Sequence, residues 1–345
     1  MGKKVKNKDL AIRLGVSPTL VSLVLNNKAD LYGIKKETQE KVLALARQMG
    51  FFDVKEEKRA PYPVETAPGI VGIIVPSLAD QFVYDITPYL QKEFSNIGLG
   101  FTVILKDPDD GRFNRFVSAF RKFFSGLILV GEAADEKTIS TLRDNDYPFV
   151  LLEKTTEKYR LNTVMTDVMA GINLLTEYIG RKGYRNILIL CSEKRHREKE
   201  KIIKELVNSL NRIPGGISRP LIEFVNEPVA EEDFDFKQIW KYLQPPLSIQ
   251  LIITINASLV YPLLSALENK KIRVPYDVAL ISFEEGPGFA FLHPPITSLR
   301  KPVSALAHKA SNMIWSEIKN AGKSKYRRQL QLSPELVIRR SCGNF

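Results

Sequence analysis

Cysteine and histidine are scarce in this chain. Cys191 and Cys342 are the only cysteines among 345 residues. Two thiols build neither a disulfide framework nor a four-thiolate zinc site, so a reducing compartment is expected. The three histidines, His196, His293 and His308, lie far apart, and no His-Glu-x-x-His metal motif occurs. Phosphate-binding Walker loops and Gly-x-Ser-x-Gly elbows are lacking as well. Glu284 and Glu285 are adjacent, and neighbours on a strand point to opposite faces, so the pair reads as loop rather than as an acid–base couple. These shortages lead us to expect no enzyme, no metal and no cofactor. No apolar run reaches the roughly 18 residues of a spanning helix. The opening stretch Met1-Gly-Lys-Lys-Val-Lys6 has no apolar segment of the secretory kind. The expectation is a cytoplasmic protein with no membrane partner.

What is present is a globular composition, 44% hydrophobic and 26% charged, long enough for two or three folding units at about 100–200 residues each. The formal charge is +11. Residues 1–60 hold 13 Lys/Arg against 7 Asp/Glu, so a sixth of the chain carries +6 of that total. Such a concentration suits either a solvated basic tail or an electrostatic footprint for nucleic acid. The residue pattern favours the second. Asn7 to Leu14 reads as a short helix with Leu10, Ala11 and Leu14 on one stripe, closed by Gly15. Ser17 and Pro18 open a second helix, as N-cap and first helical residue, running to about Leu25. Val21, Val24 and Leu25 face inward in this reading, and Thr19, Ser22, Leu23 and Asn26 outward. A third helix, about Lys35 to Met49, closes a small core with Val42, Leu45 and Ala46. Two helices joined by a three-residue Gly-containing turn have helix-turn-helix geometry, which also occurs in ordinary bundles.

The residues themselves narrow this. Asp9-Leu-Ala, Gly15-Val-Ser-Pro-Thr-Leu-Val-Ser-Leu-Val-Leu-Asn26 and Glu37 to Gly50 closely resemble the DNA-binding headpiece of the lactose-repressor/galactose-repressor (LacI/GalR) family, across residues 5–51. The resemblance implies that Pro18, Thr19 and Leu23 face bases. Thr19 can donate or accept at a base edge, whereas Pro18 and Leu23 offer only apolar contact. It further implies phosphate contacts from Lys6, Ser17, Ser22, Asn26 and Thr38, which fix register without reading sequence.

After the headpiece the chain departs from the family pattern. Asp53 to Gly69 contains no leucine, and Pro61, Pro63 and Pro68 oppose a hinge helix. Relatives wedge hinge leucines into the minor groove; this chain is expected to lack that wedge and to bend DNA less.

From Gly69 apolar runs alternate with helical patterns. Strands are expected at Ile70–Val75, Gly100–Leu105, Gly126–Val130, Pro148–Leu152, Asn186–Leu190, Leu221–Val225, Leu251–Ile255 and Val278–Phe283. Helices are expected near Tyr84–Asn96, Arg115–Phe124, Glu136–Asp144, Ala170–Gly180, Lys199–Asn211 and Ala257–Asn269. The order implies parallel sheets, with ligands at their carboxyl ends. Val71 to Pro76, Arg181 to Ile189, Arg273 to Phe283, Pro294 to Pro302 and Glu335 to Cys342 resemble the same family's periplasmic-binding-protein-like sensor. The fold class expected is therefore an N-terminal all-α helix-turn-helix headpiece (1–52), a Pro-rich linker (53–69) and an α/β two-lobed sensor (70–345). Lobe 1 is expected at about 70–165 and 298–328, lobe 2 at about 166–297 and 329–345.

Ser77, Gln81 and Phe82 follow the first strand and should line the cleft, with Phe82 able to stack on a ring. The resemblance adds Asp167 and Asn256, and aligns Arg197 to within about one residue of an effector-binding arginine. Relatives carry an acid after the position of Asn256, where this chain has Ala257. Arg195 and Arg197 suit an anionic effector, but Ser192 to Lys201 equally reads as a solvated helix start. A non-sugar effector, an anionic one and none at all stay open.

The expected function is a sequence-specific DNA-binding regulator, in sense a repressor. It would act as a homodimer on a pseudo-palindromic double-stranded operator, modulated by a small molecule. Dimer contacts are expected from Tyr84–Asn96, Ala257–Asn269 and Val303–Lys319. The alternatives are a sugar-type binding protein whose DNA binding is secondary, and a regulator without effector.

Overall fold

The computed structural model describes residues 7–25, 29, 33–49, 69–78, 80–106, 120, 122–192, 197–215, 220–225, 237–320 and 327–343. The chain forms two compact units, Met1–Ala67 and Pro68–Phe345.

The first unit is built on α1 (Asn7–Leu14), α2 (Pro18–Leu25) and α3 (Lys36–Gln48). Gly15 turns the chain with φ +64°, a left-handed conformation that suits glycine, and the Val16 N–H reaches back to the Ala11 carbonyl. Ser17 Oγ accepts from the Leu20 N–H at 3.1 Å, so the cap stands where it is expected. Leu10, Val21, Val42 and Ala46 are fully buried, with Ala11, Val24 and Ala29 beside them. Leu25 is half-buried.

The second unit holds two six-stranded sheets. The first takes β1 (Ile70–Val75), β2 (Gly100–Leu105), β3 (Gly126–Val130), β4 (Phe149–Leu152), β5 (Thr163–Thr166) and β11 (Gln329–Leu332), in the order β11-β5-β4-β3-β1-β2. Every pairing in it is parallel. The second takes β6 (Ile187–Ser192), β7 (Leu221–Val225), β8 (Leu251–Thr254), β9 (Ala279–Ser282), β10 (Thr297–Arg300) and β12 (Glu335–Val337), in the order β12-β10-β9-β8-β6-β7, parallel except for the antiparallel β12. Helices α4 (Gln81–Asn96), α5 (Glu136–Asp144) and α10 (Val303–Lys319) cover the first sheet. Helices α6 (Val168–Lys182), α7 (Arg197–Leu210), α8 (Lys237–Leu243) and α9 (Val260–Asn269) belong with the second. Strands β3, β4 and β8, apolar but for Thr254, are buried along their length, as sheets covered on both faces require. Gly126 lets α10 approach β3: a Cβ there would stand 2.8 Å from Ile314 Cδ1.

Three short segments carry the chain between lobes: Thr166–Val168, Arg300–Val303 and Leu332–Glu335. This corrects the sequence-based lobe ranges. β10 pairs with β9, so residues 298–300 belong to lobe 2, and β11 pairs with β5, so residues 329–332 belong to lobe 1. Both strands are short and polar, which hid them, and the pairing partner decides the lobe. The expected helix over 257–269 begins as a 3₁₀ turn, Ala257–Leu259, before α9. Most of the helix expected near Arg115–Phe124 lies outside the described residues, and 122–123 form a turn.

Candidate functional site

Two places answer to the sequence-derived residues. The first is the start of α2. Burial of Val21 and Val24 turns the opposite face outward: Ser17, Pro18 and Thr19 are exposed, and Ser22 and Leu23 are half-buried. Ser17 uses an oxygen lone pair for its cap, so its hydroxyl proton remains able to donate to an anion. Thr38 is half-buried on the first turns of α3. Lys6, Asn26 and residues 53–68 of the linker lie outside the described residues.

The second place is the cleft between lobes, at the carboxyl ends of the strands. Here the structure separates structural from available polar groups. Asp167 caps α6, its Oδ1 accepting from the Ala170 N–H at 2.9 Å. Asn256 is 4% exposed, and its Oδ1 accepts from the Ser192 N–H at 3.2 Å, tying the end of β8 to β6. Gln81 donates to Asp85 at 2.6 Å. Burial raises the pKa of Asp85; the Gln81 hydrogen bond opposes this, while the charges of Glu285 across the cleft and of Asp80 reinforce it. Ser77 is exposed after β1. The side chain of Arg197 is outside the described residues, as are Arg195 and His196.

Phe82 sits in the first turn of α4, below the Asp80 cap, and the ammonium of Lys301 stands 4.8 Å from its ring centroid. Lys301 donates to Glu153 Oε2 at 2.7 Å. Glu153 adopts φ +54°, uncommon for a side-chain-bearing residue, and its Oε1 accepts from Thr166 N–H at 2.6 Å and Oγ1 at 2.9 Å. Glu284 Oε2 accepts from the Ala257 N–H at 3.3 Å. A carboxylate thus stands beside the position where the sequence lacks one. Glu285 is gripped by Arg339, at 2.6 and 3.1 Å, and by Ser298. Burial pushes the Glu285 carboxyl up, but those hydrogen bonds and the charges of Arg339 and Arg300 outweigh it, so its pKa lies below the usual glutamate value. The acid pair is therefore split between two structural tasks, in keeping with a loop rather than an acid–base couple.

Glu153 and Lys301 went unnoticed in the sequence, and Glu284 was read there only as half of an adjacent loop pair. Each directly follows a strand or stands one residue beyond its end, the place open sheets reserve for ligands. That signal was readable for β4 and β9, not for β10, which has Thr297, Ser298 and Arg300 among its residues. A cavity of about 300 Å³, lined by Arg143, Asp146, Tyr147, Phe149, Lys158, Tyr159, Arg160, Leu161 and Arg327, opens at the amino end of β4, away from this cleft. Among the described residues no three His, Cys, Asp or Glu side chains are grouped to hold a metal. No helix among them is long and apolar enough to cross a membrane.

Residues 8–52 match the profile of the bacterial regulatory proteins, lacI family. Residues 69–204 match the periplasmic binding proteins and sugar binding domain of the LacI family, and 176–342 a periplasmic binding protein-like domain. The chain belongs to the lacI family. Full-length relatives of this lacI-family chain include the HTH-type transcriptional regulator MalR of Streptomyces coelicolor, 24% identical over 97% of this chain and 96% of the relative. The HTH-type transcriptional repressor PurR of Photobacterium profundum is 23% identical over 98% of both chains. A lacI-family transcriptional regulator from Silicibacter pomeroyi shares the fold over 99% of this chain and 100% of its own, with TM-score 0.66 and 18% identity. A family member from Enterococcus faecium with bound ribose covers 79% of this chain and 98% of its own, with TM-score 0.65 and 17% identity. The family is one of transcriptional regulators, not of enzymes.

Proposed function

We propose that this DNA-binding transcriptional regulator acts as a homodimeric repressor on a pseudo-palindromic operator in the cytoplasm. The single observation that carries the DNA reading is the face of α2. Ser17, Pro18 and Thr19 stand exposed at its start while Val21 and Val24 anchor it. In that orientation Thr19 meets a base edge, Pro18 and Leu23 supply apolar contact, and Ser17, Ser22, Asn26, Thr38 and Lys6 hold phosphates. One headpiece spans a few base pairs, so two are needed for a specific site. For the dimer, α4 offers the best face. Tyr84 is 74% exposed and Pro88 lies one turn on, whereas the outward residues of α10 are mainly polar, such as His308, Lys309 and Asn312.

The cleft of the sensor is the proposed effector site, with Phe82 as its aromatic wall and Gln81 and Ser77 beside it, and Arg197 is proposed as the partner of an anionic effector. Asp167 and Asn256 brace lobe 2 at the cleft through the backbone N–H groups they accept from. A shift between open and closed lobes would alter headpiece spacing, and the leucine-free linker would transmit it modestly and with little DNA bending. A titration of duplex against the purified chain, read by sedimentation, tests the assembly. Two chains per bound duplex are expected. One chain per duplex, or a monomer indifferent to duplex in dilute salt, contradicts the reading.

A further inference from the structure

The aromatic face of the cleft is covered by the chain's own ammonium. A ring stacking on Phe82 must use the space above it, and Lys301 Nζ stands there, 4.8 Å from the centroid. Its position is built rather than incidental. Lys301 belongs to the crossover Arg300–Val303, and its partner Glu153 is fastened through Thr166 to the crossover Thr166–Val168. The ammonium therefore joins two of the three connections between lobes. Lys301 itself extends from the end of β10, in lobe 2, and its ammonium meets Glu153 and Phe82 of lobe 1. Burial disfavours its charge, but Glu153 first, then Glu284 and Asp80, outweigh that and raise its pKa. A diffusible effector of this cleft must contact both lobes to bias them. Lys301 already does so.

We propose that Lys301 is a tethered ligand of the interlobe cleft: its ammonium fills the subsite over Phe82 and holds the lobes in one arrangement without a diffusible effector. The proposal rests on the regulator reading and specifies how its sensor is set. The subsite is thereby assigned a chemistry, that of a primary ammonium ion on an aromatic face beside carboxylates. A short tether gives an effective concentration in the millimolar range, so a free amine at about 10 mM should replace it once the lysine is shortened.

The test uses the full chain and a duplex that the wild-type chain binds. Lys301→Ala should change operator affinity by about 5- to 150-fold, the span of allosteric coupling, and n-propylammonium should restore it while 1-propanol does not. An affinity within about twofold of wild type overturns the proposal, as does a changed affinity that propylammonium leaves untouched. Should the alanine chain fail to fold, Lys301→Met keeps the stem over Phe82 without the charge, and wild-type affinity in that variant is equally fatal. Calorimetry separates this from the DNA reading. Propylammonium should bind the folded Lys301→Ala chain and not the wild type, whatever either does with duplex, and equal heats in both chains would refute the tethered ligand alone.

Discussion

At the start of α2, Ser17, Pro18 and Thr19 face solvent. At the strand ends of the sensor, Asp167, Asn256, Glu153 and Glu285 all accept hydrogen bonds from their own chain. Both regions carry polar side chains at ligand-binding positions of the fold, yet those of the first stand in solvent while most of those of the second are spent on internal bonds. The contrast teaches that a polar residue at a ligand-binding position of the fold is not thereby a ligand contact: a buried polar group needs a partner, and an internal one suffices. The headpiece is built to be completed from outside, and the cleft is largely completed from within.

That contrast can be broken at several points. The largest effect is expected from Arg339→Ala, which strips the half-buried Glu285 of its main partner. Breaking such a pair costs about 3 kcal/mol, read as a lower denaturation midpoint of the sensor. The same pair sets a pH dependence. The Glu285 pKa is lower in the folded state, so its contribution is present above the ordinary glutamate value and is lost as pH falls through the depressed one. Acid titration of stability should lose that component in Arg339→Ala. Next is Asn256→Ala, which removes the side-chain acceptor of the Ser192 N–H and should cost about 1 kcal/mol. A full-stability variant with altered ligand response would instead make Asn256 a contact residue. Asp167→Ala removes the α6 cap and should cost about 1 kcal/mol. Smallest in stability, and sharpest for the comparison, is Thr19→Ala: the melting curve should not move, while discrimination at one base pair of each half-site changes by about 1 kcal/mol. Lys6→Ala should weaken all duplexes alike and flatten the salt dependence.

The legibility of the molecule follows the same division. The headpiece could be read because local chemistry decides it: Gly15 ends α1, Ser17 and Pro18 begin α2, and a 3.6-residue stripe fixes the core. The buried strands β1, β3 and β8 announced themselves as apolar runs. Thr163–Thr166, Thr297–Arg300, Gln329–Leu332 and Glu335–Val337 did not, being three or four residues long, mostly with polar members. Their pairing is decided by tertiary contacts, and because they flank the crossovers the lobe ranges shifted with them. In the cleft, Phe82 was legible from its place after β1. The Glu153–Lys301 pair was not, since it joins residues 148 positions apart and depends on a left-handed backbone at Glu153.

Selection of bound sites from a random duplex pool by the purified chain bears most directly on the account. It predicts enriched sequences with two inverted half-sites about one helical turn apart, centre to centre, and a Thr19→Ala chain that selects a different base at one symmetric position. An enriched pool without inverted symmetry, or one unchanged by Thr19→Ala, would contradict the placement of α2 against the bases.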